Sequence, residues 1–322
     1  RETSRSAGHF AWRNRINRAL GKVDEVGFSD VVLEPALDRR IASLAKSTAN
    51  TRKHAAPYRH MMFYGPPGTG KTMVAKRLAK SSGMDYAIMT GGDVGPLGRE
   101  ATTELHKLFD WSGATNRGLL LFIDEADAFL GSRSRVGLSE DQRNALNALL
   151  YRTGTPTTKF MLVVATNRPS DLDSAVTDRI DEAMWFGLPD ESLRERLLRQ
   201  YFGEYLVRAG EKAEGGLLTN ALRKRAAKIE IAADIDDEYF ADLARRTEGF
   251  SGRGISKLVL SVQGAVYGQD APLVNRDIME EVVLLKMKEF EERRAQFGGF
   301  TEDHTVVDVD VPVDVREVPY DA

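Results

Sequence analysis

Cysteine is absent from the 322 residues, which excludes disulfides and thiolate chemistry and fits a reducing compartment. No apolar run approaches the roughly 18–20 residues that a membrane-spanning helix needs. Neither sign of charge dominates: 45 Lys and Arg against 48 Asp and Glu leave a net charge of −3 and an isoelectric point near 6.1. A chain without a basic excess is not drawn to nucleic acid by its overall field, so no direct sequence-specific nucleic-acid binding is expected. Also missing at Arg1 are an initiating methionine and a signal-like segment, so the sequence reads as a fragment or processed form. What is present, 42% hydrophobic and 29% charged residues, is the composition of a globular protein, at a length suited to two domains.

Against that background one stretch stands out. Gly65-Pro66-Pro67-Gly68-Thr69-Gly70-Lys71-Thr72 fits G-x-x-x-x-G-K-[ST] at every position. Met61-Met62-Phe63-Tyr64 before it reads as a short buried strand and 73–79 after it as a helix. Strand, glycine loop and helix in that order make a P-loop. Glycines at 65, 68 and 70 let backbone N–H groups turn onto phosphate oxygens, and the helix N-terminus adds partial positive charge. Lys71 then reaches the β- and γ-phosphates and Thr72 offers its hydroxyl to Mg2+. ATP and Mg2+ are the expected cofactors.

Gly118-Leu119-Leu120-Leu121-Phe122-Ile123-Asp124-Glu125-Ala126-Asp127 is apolar on both faces and ends abruptly in carboxylates. Continuous apolar strands belong to parallel sheets covered on both sides, with ligands at their carboxyl ends. The run is therefore read as a Walker B strand, with Asp124 in the Mg2+ shell and Glu125 polarising the attacking water. An arginine-bearing loop at 131–138 follows. Ser139 and Gln142 then form a capping box that opens a helix to about Tyr151. Phe160-Met161-Leu162-Val163-Val164-Ala165 is another buried strand, ending at Asn167, which is either a γ-phosphate sensor or simply a good turn residue.

Other elements are an alternating strand at 85–89, a helix from about Glu100 to Trp111, and a last helix from Ile278 to Phe290. At Gly187-Leu188-Pro189-Asp190 strand–helix alternation gives way to helices only. The chain divides into a basic arm at 1–27, an α/β nucleotide-binding domain at 28–188, a smaller all-helical lid at 189–297 and an acidic tail at 298–322. The arm is either a contact to an anionic membrane or a neighbouring subunit, or a solvated lead-in helix. The stretch 209–235 reads as an insertion between lid helices. The tail is read as disordered, the alternative being an edge strand added to a neighbour.

Walker A, Walker B, Ala165-Thr166-Asn167-Arg168-Pro169, Arg179 and the helical lid, in that order, resemble an AAA ATPase module over residues ~28–292. The resemblance implies an AAA+ P-loop NTPase, a parallel sheet between helices with a smaller helical lid. It also implies that Val32 packs beside the adenine; where a typical member's lid has Gly-Ala-Asp this chain has Gly252-Arg253-Gly254, so Arg253 looks like a sensor-2 arginine reaching the γ-phosphate from its own lid. A narrower likeness is carried by Tyr58-Arg59, the run 82–94, His106-Lys107-Leu108-Phe109-Asp110-Trp111 and Leu150-Tyr151-Arg152-Thr153-Gly154. It is to a mitochondrial inner-membrane branch of the family. That branch implies a preceding coiled coil and inner-membrane segment, and a matrix-side position. It further implies a homo-oligomer of hexamer type, a protein or membrane-associated partner, and roles in membrane and nucleoid organisation and lipid handling.

Two further departures from the family pattern bear on mechanism. Asp173-Ser174-Ala175-Val176-Thr177 is followed by Asp178-Arg179, so a single arginine is available where many members carry two. Arg179 is either a finger serving the adjacent subunit or a salt-bridge partner of Asp178, Asp181 or Glu182. The loop 94–98, Val-Gly-Pro-Leu-Gly, lacks an aromatic with which to grip a polypeptide, so Leu97 is its only large apolar side chain. This argues against a peptide-threading unfoldase or severing enzyme. The remaining rival to an active ATPase is a nucleotide-gated scaffold with slow hydrolysis.

Overall fold

The computed structural model describes residues 2–3, 32–132, 139–208, 229–269 and 272–297. The basic arm beyond Thr3, most of the 131–138 loop, residues 209–228 of the insertion and the acidic tail lie outside the described residues.

The sheet is built from β1 (Glu2–Thr3), β2 (Met61–Tyr64), β3 (Asp85–Thr90), β4 (Leu119–Asp124), β5 (Phe160–Thr166) and β6 (Glu182–Trp185). Their order in space is β1-β3-β4-β5-β2-β6. β1 runs antiparallel to β3 and the other pairs are parallel. Along β4, Leu119, Leu121 and Ile123 enter one core while Leu120 and Phe122 enter the other. In β5 the same alternation sends Phe160, Leu162 and Val164 one way and Met161, Val163 and Ala165 the other. Both faces are thus covered, which is why neither strand shows polar alternation.

The first core is closed by α3 (Glu100–Ala114) and α4 (Glu140–Thr153), the second by α1 (Pro35–Lys53) and α2 (Lys71–Ser82). The Ser139–Gln142 capping box forms, with Gln142 N–H donating to Ser139 Oγ at 3.2 Å and Ser139 N–H to Gln142 Oε1 at 3.0 Å. A short α5 (Ser174–Thr177) leads into β6.

The lid consists of α6 (Glu191–Phe202), α7 (Asp237–Arg246), α8 (Gly252–Tyr267) and α9 (Arg276–Phe297) around a third core. Each helix begins at a polar cap. Asp190, Asp236, Ser251 and Asn275 accept the N–H of Leu193, Tyr239, Gly254 and Ile278 at 2.7, 2.9, 3.2 and 3.1 Å. A cap of this kind contributes about 1 kcal/mol. Among its described residues the lid is helical apart from one parallel strand pair, β7 (Glu230–Ile231) with β8 (Leu273–Val274), so it is not the all-helical unit that the sequence suggests.

The loop 94–98, whose only large apolar side chain is Leu97, is not free of the domain core. It forms a 3-10 turn, Gly95–Leu97, and Leu97 is half-buried against the first core. There it lines a small apolar crevice with Ala87, Met89, Val94, Ala101 and Leu105. Truncating Leu97 therefore removes packing as well as any partner contact, so it is no clean probe of grip. No helix among the described residues is long and apolar enough to cross a membrane.

Candidate active site

Three strand ends deliver the candidate groups to one edge. The glycine loop follows β2, Asp124 closes β4, and Asn167 follows β5, all at the carboxyl edge where open α/β sheets take ligands. Thr166 lies opposite Tyr64 in the parallel register, so Asn167 stands level with Gly65, the first residue of the loop.

The loop's backbone requires its glycines. Gly65 has φ +140°, and a Cβ there would sit 2.2 Å from the Phe186 carbonyl oxygen. Gly68 has φ +79°, and a Cβ would approach Ser251 Oγ and the Arg253 Cβ to 2.8 Å. The lid thus rests directly on the P-loop, and Arg253 N–H donates to Gly68 O at 3.2 Å. Two helix N-termini consequently converge on the loop, that of α2 behind Gly70 and that of α8 behind Ser251. Their dipoles add partial positive charge where phosphates would lie. Pro66, Pro67 and Thr69 complete the loop, with Thr69 Oγ1 donating to Pro66 O at 2.9 Å. Val32 leans on the lid core while Leu33 enters the core under α2, so this segment bridges the two domains.

Lys71 is buried, and its Nζ donates to the Gly65 and Pro66 carbonyls, both at 2.8 Å. Burial pushes its pKa down from 10.5 to about 8; the Asp124 carboxylate pulls the other way and the Arg253 guanidinium adds to the lowering. The sign has a consequence. An incoming triphosphate favours the ammonium, so between about pH 8 and pH 10 nucleotide binding should take up a proton, and affinity should fall as pH rises above about 8. Calorimetry at pH 8.5 in two buffers of different ionisation enthalpy measures this directly; binding without proton uptake would contradict it.

Thr72 Oγ1 donates to Asp124 Oδ2 at 2.5 Å, and Asp124 Oδ1 accepts the Glu125 N–H at 3.0 Å. Hydroxyl and carboxylate oxygens side by side are hard donors of the kind Mg2+ takes, in a set small enough to leave room for phosphate and water. Among the described residues no cluster of three or more His, Cys, Asp or Glu forms a self-sufficient metal cage, so a cation here would depend on the nucleotide. Glu125 is held in the left-handed region, φ +48° and ψ +47°, a backbone state that costs a non-glycine residue about 1–2 kcal/mol. Asp127 and Thr166, which sequence reasoning did not single out, join the ends of β4 and β5: Thr166 Oγ1 donates to Asp127 Oδ1 at 2.9 Å.

Arg179 is not brought to this site. It precedes β6, whose first residue Glu182 lies opposite Met61, whereas the P-loop begins after Tyr64. A four-residue strand of about 3.3 Å per residue, roughly 13 Å, separates the two edges. Nor does Arg179 pair with the nearby acids. Its Nη1 donates to Ala175 O at 2.6 Å and its Nε to Leu150 O at 3.3 Å, in the last turn of α4. Asp181 accepts the His60 N–H at 2.5 Å, and Glu182 binds Arg40 and Arg59 at 2.7 and 3.4 Å.

A phosphate-cradling loop, a buried lysine, a Thr–Asp pair and a helical lid seated on the loop define an AAA-type P-loop ATPase module. Residues 61–188 match the family described as ATPase family associated with various cellular activities (AAA). The solved "Crystal structure of FIGL-1 AAA domain in complex with ADP" shares the fold at 18% identity, with a TM-score of 0.62 over 85% of this chain and 91% of that one. The chain carries an AAA ATPase module and resembles ATPase family AAA domain-containing protein 3. It is 44% identical over 282 residues to ATPase family AAA domain-containing protein 3A of Homo sapiens, covering 87% of this chain and 46% of that protein. To the Xenopus tropicalis and Caenorhabditis elegans proteins it is 43% and 46% identical, covering 91% and 78% of this chain and 48% and 40% of theirs. The chain thus spans about half the length of these curated relatives.

Proposed function

We propose that this module hydrolyses ATP with Mg2+ as part of a homo-oligomeric ring, hexameric on the family resemblance. The observation that carries the reading is the division of the machinery between two edges of the sheet. Lys71, Thr72, Asp124 and Glu125 gather at one, while Arg179, among the described residues without a carboxylate partner, waits at the other. A subunit so built is complete only beside a neighbour. Lys71 and the loop N–H groups hold the β- and γ-phosphates; Glu125 orients the water; Asn167 and Arg253 contact the γ-phosphate from strand tip and lid. Thr72 and Asp124 would hold Mg2+, which would supply charge neutralisation on the phosphates when bound. Placement on the matrix side of the mitochondrial inner membrane, with a protein or membrane-associated partner in membrane or nucleoid organisation, rests on the resemblance. No direct contact of this chain with a nucleic-acid sequence is part of the proposal. The half-buried Leu97 and the lack of an aromatic in its loop weigh against peptide threading. The test is turnover per subunit against protein concentration, with sedimentation alongside. Turnover should rise steeply with assembly and vanish on Mg2+ chelation, whereas a rate independent of concentration at dilutions where the chain is monomeric would overturn the ring reading.

A further inference from the structure

The cleft that Arg179 lines is lined also by a second arginine, Arg59, from a stretch of chain 120 positions away. This cleft of about 480 Å3 is lined by Arg59 and Arg179 together with His60, Asp178 and Asp181. A reciprocal clamp between residues 60 and 181–182 ties the two stretches together. Asp181 Oδ2 accepts the His60 N–H at 2.5 Å, and the Asp181 and Glu182 N–H groups donate to His60 O at 2.9 and 3.3 Å. Arg59 is one residue, and Arg179 two residues, outside that clamp.

Neither guanidinium is spent on a strong ion pair. Arg179 is anchored by carbonyl oxygens, which orient it without cancelling its charge. Arg59 Nη1 lies 3.4 Å from Glu182 Oε2, its side chain 55% exposed, while Arg40 approaches the other Glu182 oxygen to 2.7 Å. Glu182 is thus already satisfied by Arg40, and the long contact to it from the largely exposed Arg59 side chain contributes little to stability, so Arg59 can leave it for a stronger anion. The other groups do not take up the charge. Asp181 is engaged by the clamp. The His60 imidazole is held below its ordinary pKa by burial, against the pull of Asp181, and its Nδ1 accepts the Leu162 N–H at 3.1 Å, which keeps it neutral. Asp178 is the remaining carboxylate of the cleft.

We propose that Arg59 acts with Arg179 on the triphosphate of the adjacent subunit, a second cation supplied in trans from a different element. This rests on the trans role of Arg179. In phosphoryl transfer the charge spreads over three equatorial oxygens. One planar fork engages two acceptors at a time, so a second fork arriving from the strand β2 side reaches what the first leaves open.

The test uses the whole chain, assembled, with three readouts. Arg59→Ala should lower kcat by about 100- to 1,000-fold, as for loss of one hydrogen-bond donor to a transition state, with ATP affinity within about twofold. Glu182→Gln should leave kcat within about threefold, because it removes the acid and not the cation; an equal loss in both variants would reduce Arg59 to a structural ion pair and overturn the proposal. Mixing Arg59→Ala subunits with Glu125→Gln subunits should restore turnover, because intact Arg59 from the second serves intact Glu125 of the first. The Arg179→Ala with Glu125→Gln mixture runs in parallel. If that control recovers and the Arg59 mixture does not, the second cation fails while the trans finger stands; if neither recovers in verified mixed rings, both fall. Arg59→Lys, which keeps charge without the fork, should fall between wild type and Arg59→Ala, and replaces the alanine variant should that not assemble.

Discussion

Arg179→Ala subunits should lose about 10³–10⁵ in ATP turnover, or roughly 4–7 kcal/mol of transition-state stabilisation, and regain it when mixed with Glu125→Gln subunits. The geometry leaves few other outcomes. Arg179 sits at the amino edge of the sheet and its own P-loop at the carboxyl edge, so it cannot reach its own γ-phosphate. Asp181 and Glu182 have other partners, so the loss cannot be assigned to a broken salt bridge with either. In place of an acid, Arg179 caps the last turn of α4 through Leu150 O, and a helix carbonyl is a partner it can exchange for phosphate. Each variant should be nearly inactive alone. Turnover appearing only in the mixture identifies a group acting between subunits; no recovery in verified mixed rings refutes it.

The second large effect separates two residues at one edge. Glu125→Gln should suppress hydrolysis by about 10²–10⁴, the range of a lost general base, while leaving ATP affinity nearly unchanged. The groups that hold nucleotide and metal, Lys71, Thr72 and Asp124, have their own contacts and do not lean on the Glu125 side chain. Lys71→Ala should instead abolish measurable binding. It removes the ammonium that faces the phosphates and takes the Lys71 donor from the Gly65 carbonyl, while Pro66 O keeps only Thr69 Oγ1. Equilibrium nucleotide binding beside single-turnover hydrolysis distinguishes the two. Equal affinity losses would make Glu125 a binding residue.

Much of this architecture is legible along the chain because its signals are local. Glycines at 65, 68 and 70 mark the loop, and the unbroken apolar runs of β4 and β5 mark strands covered on both sides. Which strands become neighbours is not a local property. Thr166 and Asp127, 39 positions apart, meet only once β5 lies beside β4. Arg59 and Arg179 share a cleft only because β6 follows β2 in the sheet. Elements of two residues, β1, β7 and β8, are too short for any alternation to show. Helix ends escape for other reasons. Ser112-Gly113 reads as a break, yet Ser112 Oγ donates to Phe109 O at 2.6 Å and α3 continues to Ala114. Residues 291–296 of α9 are all exposed, so they carry no apolar period; Arg293 instead reaches back to Glu289 O at 3.0 Å.

The left-handed backbone of Glu125 sets two selective pressures against each other at a single codon. Glycine adopts that conformation without steric cost, so the substitution that most relaxes the turn after β4 is also one that deletes its carboxylate. A screen rewarding heat tolerance alone would drift toward an inert, sturdier module, whereas one rewarding turnover would keep the strained residue. Persistence of glutamate through rounds of thermal selection thus becomes a sign that hydrolysis, and not nucleotide-dependent assembly alone, is what the host cell requires.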